Sequence, residues 1–354
     1  MADAGLKTGW RAGLLAAPAL YLVLAALMAL SCTLGFVEIP VWRLLEILAE
    51  AAGMKTAAAD PAEAAIVLQV RLPRIAAAAL VGGTLAVSGT VFQALLLNPL
   101  ADPYTLGISS GAAFGASAAI VLTVLGIHIP QGAGIPAFAF IGAMGSLFAV
   151  MALASGSGGT AGQRLSSTNL ILAGVIVSAI LSAAIGFMKF LADEQVGAII
   201  FWLMGSLSGV YWHQAAMLAA VSLPCILVVQ LFGQELNIAA TGEKTAQSLG
   251  IDTARLRLLL LTLCSLWTAA AVSISGIIGF VGLIVPHLLR RITGPDNRLL
   301  AAAAFPAGAI LLLAADTITR AVLPAEVPIG VLTALIGGPF FCLIFRRTQG
   351  GRGF

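Results

Sequence analysis

The stretch Leu258–Leu289 reads LLLLTLCSLWTAAAVSISGIIGFVGLIVPHLL and contains no Asp, Glu, Lys or Arg. As one straight helix it would measure about 48 Å, whereas the hydrocarbon core of a bilayer is about 30 Å thick. The tetrapeptide SISG at Ser273–Gly276 supplies a break, since glycine readily leaves helical geometry. We therefore predict that this stretch folds back within a membrane instead of crossing it as a single rod.

The whole chain has the composition of a membrane protein. Of its 354 residues, 60% are hydrophobic and 9% are charged, whereas a soluble domain carries about 25% charged residues. A helix needs about 20 apolar residues to cross the hydrocarbon. The other charge-free stretches are Ala12–Val37, Ile75–Leu97, Tyr104–Ala133, Leu165–Met188, Gln195–Gln234, Leu299–Ala315 and Val327–Phe345.

Several of these stretches are longer than one span and must also fold back. Gln195–Gln234 is predicted to begin with an interfacial or re-entrant piece on the non-cytoplasmic side, because it is rich in Trp202, Tyr211 and Trp212. One span follows that piece. Counted this way, residues 1–354 form a single all-α integral membrane domain with about ten transmembrane helices.

An even number of spans places both termini on one side, and the basic residues select that side. Twelve lie with the termini and six lie opposite, so the positive-inside rule predicts that residues 1–11 and 346–354 are cytoplasmic. The net charge of +3 is therefore a sign of topology, and no nucleic-acid binding is predicted. The twelve are Lys7, Arg11, Arg164, Lys244, Arg255, Arg257, Arg290, Arg291, Arg298, Arg346, Arg347 and Arg352, and the six are Arg43, Lys55, Arg71, Arg74, Lys189 and Arg320.

One long polar segment, GQELNIAATGEKTAQSLGID at Gly233–Asp252, lies between two apolar runs. Its apolar residues recur at helical spacing from Leu236 to Leu249, with Gly242 as a break and Gly250 as a stop. This pattern predicts two short helices lying across the cytoplasmic face. A merely solvated loop is the alternative, because loops of this composition are common.

The chain has no evident energy source of its own. It contains no GxxxxGK[ST] nucleotide loop, since GEKT at Gly242–Thr245 places Glu243 between the glycine and the lysine. Every Asp and Glu is expected in a loop or at a helix end, whereas an ion-coupled carrier uses ionisable residues near the midplane. Energy is therefore expected from outside the chain. A secondary transporter and a non-transporting membrane scaffold are the alternatives from other classes.

No metal or cofactor site is predicted. Four cysteines stand singly in apolar stretches and are expected to be small buried residues. His128 and His213 make no ligand cluster, and for His287 a structural hydrogen-bonding role is favoured over a haem or metal ligand. The four cysteines are Cys32, Cys225, Cys264 and Cys342.

Four motifs carry a resemblance to a known family. They are RLPRIAAAALVGGTLAVSGTVFQALLLNPLADPYTLGISSGAAFG at Arg71–Gly115, LNIAATGEKTAQSLGID at Leu236–Asp252, ISGIIGFVGLIVPHLLRRITGPDNRLL at Ile274–Leu300, and ADTITR with EVPIGVLTALIGGPFF at Ala315–Phe341. In order and spacing, the chain resembles the iron-chelate, haem and cobalamin permease family of ATP-binding-cassette (ABC) importers. The first 60 residues match weakly.

This resemblance implies an assembly in the bacterial inner membrane. A homodimer of ten-helix permease subunits would contact lipid, two cytoplasmic ATPase subunits that hold ATP and Mg²⁺, and a periplasmic or lipid-anchored substrate-binding protein. The implied substrate is a metal chelate: ferric siderophore, haem or cobalamin. Some similar members carry oxyanions such as molybdate. The chain itself would bind no cofactor.

The resemblance also implies roles for particular residues. The cytoplasmic segment 234–254 would couple to the ATPase, through Leu236, Gly242, Glu243, Ala246, Leu249 and Gly250. Three arginines expected outside, Arg71, Arg74 and Arg320, would grip acidic side chains of the binding protein; snorkelling to lipid headgroups is the alternative. The fifth and tenth helices would line the path, with an inner gate at Asn98, Leu100, Ser167 and Thr168.

Overall fold

A computed structural model describes residues 2–54, 60–130, 132, 134–155, 166–322 and 326–349. Within these ranges the chain is helical and has no β-strand. The helices are α1 (Ala2–Thr33), α2 (Val41–Ala51), α3 (Pro61–Leu96), α4 (Ile108–Val124), α5 (Gly134–Ala154), α6 (Ser167–Leu191), α7 (Val196–Leu203), α8 (Trp212–Leu231), α9 (Gly233–Ala239), α10 (Glu243–Ser248), α11 (Thr253–Ser275), α12 (Val281–Thr293), α13 (Asn297–Ala321) and α14 (Ile329–Gln349).

Seven helices of the described chain are long and apolar enough to cross a membrane: α1, α3, α5, α6, α8, α11 and α13. The helices α4 and α14 contain shorter apolar stretches, and α12 has 13 residues. The prediction of an all-α membrane protein is therefore confirmed, whereas the count of ten spans stays a prediction. Lys55, Arg164, Arg352 and residues 350–354 of the expected tail lie outside the described residues.

The break predicted at Ser273–Gly276 is confirmed. Helix α11 ends at Ser275, Gly276 takes a positive φ of 67°, and α12 begins at Val281. Phe280 also has a positive φ, at 68°, which is unusual for a residue with a side chain. The Ser275 carbonyl accepts a hydrogen bond from the Ser206 amide at 2.8 Å, so the region after α7 covers the break.

Helix α3 lies at the centre of the bundle, where 89% of its most apolar window is buried. Gly82 of α3 faces Gly308 of α13, and a Cβ on either would collide with the other backbone. Gly89 of α3 faces Gly282 of α12, where a Cβ on Gly89 would collide with the Gly282 backbone and a Cβ on Gly282 would crowd the Leu85 carbonyl. Small residues at such positions let helices approach closely in lipid, so α3, α12 and α13 form a tightly packed core.

Two irregular segments meet inside the bundle. One is 97–107, which follows α3, and the other is 276–280, which joins α11 to α12. The first segment follows the end of α3 that is predicted to be cytoplasmic, and the second follows the end of α11 that is predicted to lie outside. The Tyr104 hydroxyl nevertheless donates a hydrogen bond to the Ile278 carbonyl at 2.8 Å. Irregular backbone at membrane depth is tolerated where protein or water surrounds it, and here each segment helps to satisfy the other.

The helix ends form two groups that are joined by hydrogen bonds. At one end Arg320 of α13 donates to the Leu34 carbonyl beyond α1 at 2.6 Å, and at the other Asn237 of α9 donates to Asp296 at 2.9 Å. The first is named the outer end and the second the inner end, after the predicted orientation. The piece predicted before the span α8 consists of the turn Asp193–Gln195 and α7, at the outer end.

Two expectations about side chains are wrong. Asp316 is fully buried within α13, five residues before the helix ends, and so is not in a loop or at a helix terminus. Cys342 on α14 is exposed, while Cys32, Cys225 and Cys264 are buried as expected. An apolar sequence does not separate a core position from one that faces lipid or another subunit, because lipid tails are as apolar as leucine.

Candidate functional site

The polar segment forms α9 and α10 at the inner end, so the prediction of two short helices is confirmed. Gly242 precedes α10 with a φ of 113°, and Gly250 follows it with a φ of 83°. Both values lie where glycine is favoured because it has no Cβ. The break and the stop therefore fall on the residues that the sequence indicated.

The apolar residues of this segment divide into two groups. Leu236 and Ala246 are fully buried, and they anchor α9 and α10 to the body of the protein. Leu249 is 63% exposed beyond the end of α10. It is therefore a large apolar side chain that is available to another protein. The roles of all six predicted coupling residues stay predictions.

Glu243 ties α10 to α11. Its carboxylate lies 3.9 Å from the guanidinium of Arg257, whose side chain is 7% exposed, and it accepts a hydrogen bond from Gln247 at 3.5 Å. The Glu243 side chain is 38% exposed. Partly solvated pairs at this separation contribute about 1 kcal/mol or less, so this ion pair adds little to the anchoring of α10 by Ala246.

Asn237 makes a stronger attachment that the sequence did not indicate. Its side-chain amide donates to Asp296 Oδ1 at 2.9 Å, and its side-chain carbonyl accepts from the Asn297 amide at 2.6 Å. Asp296 is also the N-cap of α13, where Oδ1 accepts from the Arg298 amide at 2.9 Å. The sequence feature that could have pointed to it is the capping aspartate Asp296 in GPDN, but Asn237 lies 59 residues away.

At the outer end, Arg71 and Arg320 point into the protein. Arg71 donates to the carbonyls of Cys32, at 2.6 Å, and Val37. Arg320 donates to the carbonyls of Leu34, at 2.6 Å, and Ser31, at 2.5 Å. Each arginine is 6% exposed. The last carbonyls of a helix lack intrahelical partners, so both arginines serve as caps for the region where α1 ends.

Arg74 belongs to the same group through Asp316. Its Nε and Nη2 both lie 2.9 Å from Asp316 Oδ1, and Nη2 lies 2.5 Å from Glu326 Oε1. Asp316 Oδ2 in turn forms an ion pair with Arg320 Nε at 3.3 Å. We refer to Arg71, Arg74, Arg320, Asp316 and Glu326 as the arginine network. The acids Asp316 and Glu326 were not among the predicted site residues.

These contacts bear on the two readings of the arginines. Snorkelling does not describe the side chains, because their guanidinium groups are bonded within the protein. Docking stays a prediction. Arg74 is the arginine best placed for it, because its partner Glu326 is partly exposed to solvent. The side chains of Arg74 and Glu326 are 13% and 34% exposed.

A cavity of about 370 Å³ opens beside the network. Its lining residues include Arg71, Arg74, Arg320 and Glu326 of the network, together with apolar residues such as Phe36 and Val70. With three cations and the two carboxylates of Asp316 and Glu326, the network carries one excess positive charge. The cavity can therefore receive an additional carboxylate, which arginine binds well because of its planar fork of donors.

The predicted gate residues lie at the inner ends of α3 and α6. Asn98 follows Leu97, which has a left-handed φ of 51°, and Asn98 Oδ1 accepts from the Leu100 amide at 2.9 Å. Ser167 and Thr168 begin α6, where Ser166 caps the helix by accepting from the Asn169 amide. Segment 97–107 packs on α6, since a Cβ on Gly174 would collide with the Thr105 carbonyl. The gating role of all four residues stays a prediction.

A second cavity, of about 550 Å³, lies between α7, segment 276–280 and α14. Its lining contains only apolar side chains and glycines: Leu203, Met204, Ile277, Gly279, Gly330, Val331, Ala334, Leu335 and Pro339. Leu335 is 67% exposed, so the cavity opens on the free face of α14. It presents an apolar surface to whatever occupies it.

A multi-pass helical bundle with irregular segments packed inside it has the architecture of a membrane permease. The sequence model of the FecCD transport family matches residues 22–347, which is most of the chain, so the chain belongs to that family. The resemblance that the four motifs predicted is thereby confirmed.

Relatives of this chain are named as permeases of import and transport systems. A cobalamin import system permease of Halobacterium salinarum is 42% identical over 284 residues, covering 80% of this chain and 74% of that protein. A hemin transport system permease of Yersinia pestis is 39% identical and covers 80% and 83%. A molybdate import system permease of Haemophilus influenzae is 36% identical and covers 82% and 84%.

The fold is also similar to that of a solved transporter structure. A solved structure described as a metal-chelate type ABC transporter in an inward-facing conformation is 32% identical, with a TM-score of 0.79. It covers 94% of this chain, and 98% of its own chain is covered. This protein is therefore an ABC importer permease of the FecCD family, a transporter subunit with the helical fold of its relatives.

Proposed function

We propose that this chain is the membrane subunit of a binding-protein-dependent importer that moves a metal chelate across the bacterial inner membrane. In this proposal it works as a homodimer of ten-helix subunits with both termini in the cytoplasm. The observation that carries it is the family match across residues 22–347. The charge distribution supports the orientation, with twelve basic residues expected inside and six outside.

The proposed mechanism is alternating access driven by partner ATPase subunits. Those subunits would bind ATP and Mg²⁺ and close on each other, because this chain has no nucleotide loop of its own. Their closure would shift α9 and α10 and open or close the path between subunits. The exposure of Leu249 supports a docking role for α10, since a docking surface needs an accessible apolar residue.

At the outer end the proposal assigns docking of the binding protein to the arginine network. Arg74 would exchange its contact with Glu326 for an acidic side chain of the partner. The adjoining cavity and the excess positive charge support this assignment. Arg71 and Arg320 would hold the end of α1 in place beside it, rather than meet the partner directly.

The proposal assigns a bulky chelate, and not a small oxyanion, as the substrate. The relatives include permeases named for cobalamin, hemin and molybdate, so their names leave the substrate open. The cavity beside α14 is lined by apolar side chains and glycines, whereas oxyanions are held by cationic side chains and N–H donors. Asp316 gives no support to ion coupling, because it is paired with two arginines at the outer end.

Vesicle uptake tests the proposal. The permease, reconstituted with its ATPase and binding protein, should accumulate one of cobalamin, haem or a ferric siderophore only when ATP is inside with the ATPase. Molybdate is the matched oxyanion probe, and its uptake without chelate uptake would overturn the substrate assignment. Accumulation driven by an ion gradient in the absence of the ATPase would overturn the proposed class.

A further inference from the structure

The contact between α9 and α13 uses both hydrogen-bonding groups of one side chain. Asn237 donates to the Asp296 carboxylate and accepts from the next residue's amide, at 2.9 and 2.6 Å. Gly233 lies against Arg298 in the same joint, where a Cβ would collide with the Arg298 side chain. Helix α9 is therefore fixed to the first turn of α13 at two places, one polar and one steric.

The rest of the polar segment is held differently. Helix α10 is attached through buried Ala246 and a pair between Glu243 and Arg257 at 3.9 Å. The side chain at its end, Leu249, faces outward. Helix α9 gives a force applied to α10 by another protein a route to α13, because Asn237 and Gly233 both contact the first turn of α13.

Helix α13 connects that joint to the outer end. From Asp296 to Asp316 the helix spans about 30 Å, at 1.5 Å per residue. It is continuous from Asn297 to Ala321, although it contains Pro306. Its contact with α3 at Gly308 and Gly82 joins it to the helix that carries Arg74. One rod therefore has the Asn237 joint at its first turn and the arginine network near its last.

We propose that Asn237 is a positioning residue that transmits movement of the coupling segment to α13, and through α13 to the arginine network. This inference rests on the proposed function, since it requires an ATPase that moves α9 and α10. Coupling between distant sites in proteins typically changes an affinity about 5- to 150-fold. Loss of the joint should remove most of such a coupling while leaving each end intact.

The test is a set of four variants. If the contact between Asn237 and Asp296 carries the movement, their effects should follow the order given below. N237A removes both hydrogen bonds. N237D places two carboxylates against each other and should be worse. D296N keeps an acceptor for Asn237 and a suitable N-cap, so it should resemble the wild type. Combining N237D with D296N restores one donor and one acceptor with reversed direction, so function should return. T241A, at an exposed residue between α9 and α10, is the control.

The measurement uses the full permease with its ATPase in nanodiscs. A spin label on V322C, a position 71% exposed just after α13, reports movement of the outer end between the two subunits. C342S removes the exposed native thiol. The wild type should show a change in label distance between the nucleotide-free and the ATP–vanadate states. N237A should lose most of that change while keeping the basal ATP hydrolysis of the control.

The outcomes separate the two proposals. A wild-type complex that never assembles with an ATPase would defeat the proposed function, and the inference with it. A working wild type whose distance change persists in N237A and N237D would overturn the inference alone. If N237A proves unstable, the recovery of the distance change in the N237D and D296N double variant, compared with N237D, decides the matter. Failure of that recovery would count against the joint.

Discussion

The two ends of the molecule are held together by different chemistry. At the outer end, cations and carboxylates are buried and bonded to one another and to the last carbonyls of α1. At the inner end, the short helices are held by buried Leu236 and Ala246, and their polar contacts are a neutral amide and one long ion pair. Breaking a buried charged network costs far more than breaking exposed polar contacts. The outer end should therefore move as one rigid unit, and the inner end should be the one whose short helices shift relative to the bundle.

The strongest challenge to this contrast is removal of the acid at the centre of the network. Asp316 is fully buried and faces both Arg74 and Arg320. D316N should lower the free energy of unfolding by about 3–5 kcal/mol, because buried Arg320 loses its carboxylate and Arg74 keeps only the partly exposed Glu326. Thermal unfolding of the purified permease in detergent measures this change.

E194Q supplies the control for D316N, since Glu194 is an exposed acid at the outer end. It should change stability by less than about 0.5 kcal/mol. A melting temperature for D316N that matches E194Q would mean that the network contributes little, and the two ends would then be alike in stiffness.

The next largest effect concerns docking at Arg74. R74E should weaken the affinity for the binding protein by about 2–5 kcal/mol, which is well beyond tenfold, if Arg74 meets a partner carboxylate. The deeper burial of Arg71 and Arg320 makes the same substitution there chiefly a test of folding. Arg74 also pairs with fully buried Asp316, so the melting temperature of R74E is measured beside its affinity. Surface-immobilised permease in nanodiscs, titrated with the binding protein, gives the affinity.

E326Q separates docking from damage in that experiment. It removes the carboxylate that competes for Arg74 while leaving Asp316 in place. A partly exposed pair contributes about 1 kcal/mol or less, so E326Q should leave affinity unchanged or raise it a few-fold. Equal weakening by R74E and E326Q would indicate a general disturbance of the outer end and would remove Arg74 from the docking site.

The contact between α3 and α13 gives a smaller and purely steric effect. A Cβ at residue 308 meets the Gly82 carbonyl and the Ala86 side chain. G308A should therefore destabilise by about 1–3 kcal/mol through overpacking. G145A, on α5, is the matched control, because nothing lies within 4 Å of the added carbon. Equal melting temperatures for the two variants would show that the core can yield, and that α3 and α13 do not move as one body.

The sequence predicted local features better than long-range pairings. Gly242, Gly250 and the SISG stretch marked breaks because glycine adopts a positive φ, a property of the residue itself that needs no distant partner. The four motifs indicated the family. The pairing of Arg74 with Asp316 spans 242 residues, and periodicity carries no information about such a contact. The same holds for Asn237, a polar residue in a polar segment until the N-terminus of α13 is placed beside it.

The exposed helices were also beyond reach from hydropathy. Phe187 on α6 is 63% exposed, yet α6 is at least as apolar as the buried helix α3. A helix facing lipid or a second subunit has the same composition as one in the core, because the solvent itself is apolar. Burial in this protein is therefore decided by the small residues that permit close approach, and less by hydrophobicity.

The smallest expected effect on stability is at the inner end, where the expected loss of function is nonetheless large. Leu249 is 63% exposed, and Glu243 contributes one long ion pair. Replacing both with alanine should change the free energy of unfolding by about 1 kcal/mol or less. The same double variant should lose ATP-driven uptake, either because the ATPase dissociates or because hydrolysis no longer drives transport. Co-purification of the ATPase and uptake by vesicles distinguish these causes.

Q247A on α10 is the control, since Gln247 is exposed and its side-chain bond to Glu243 is long, at 3.5 Å. A double variant that keeps full uptake would show that the ATPase docks elsewhere, and the inner end would then lose its claim to be the part that moves.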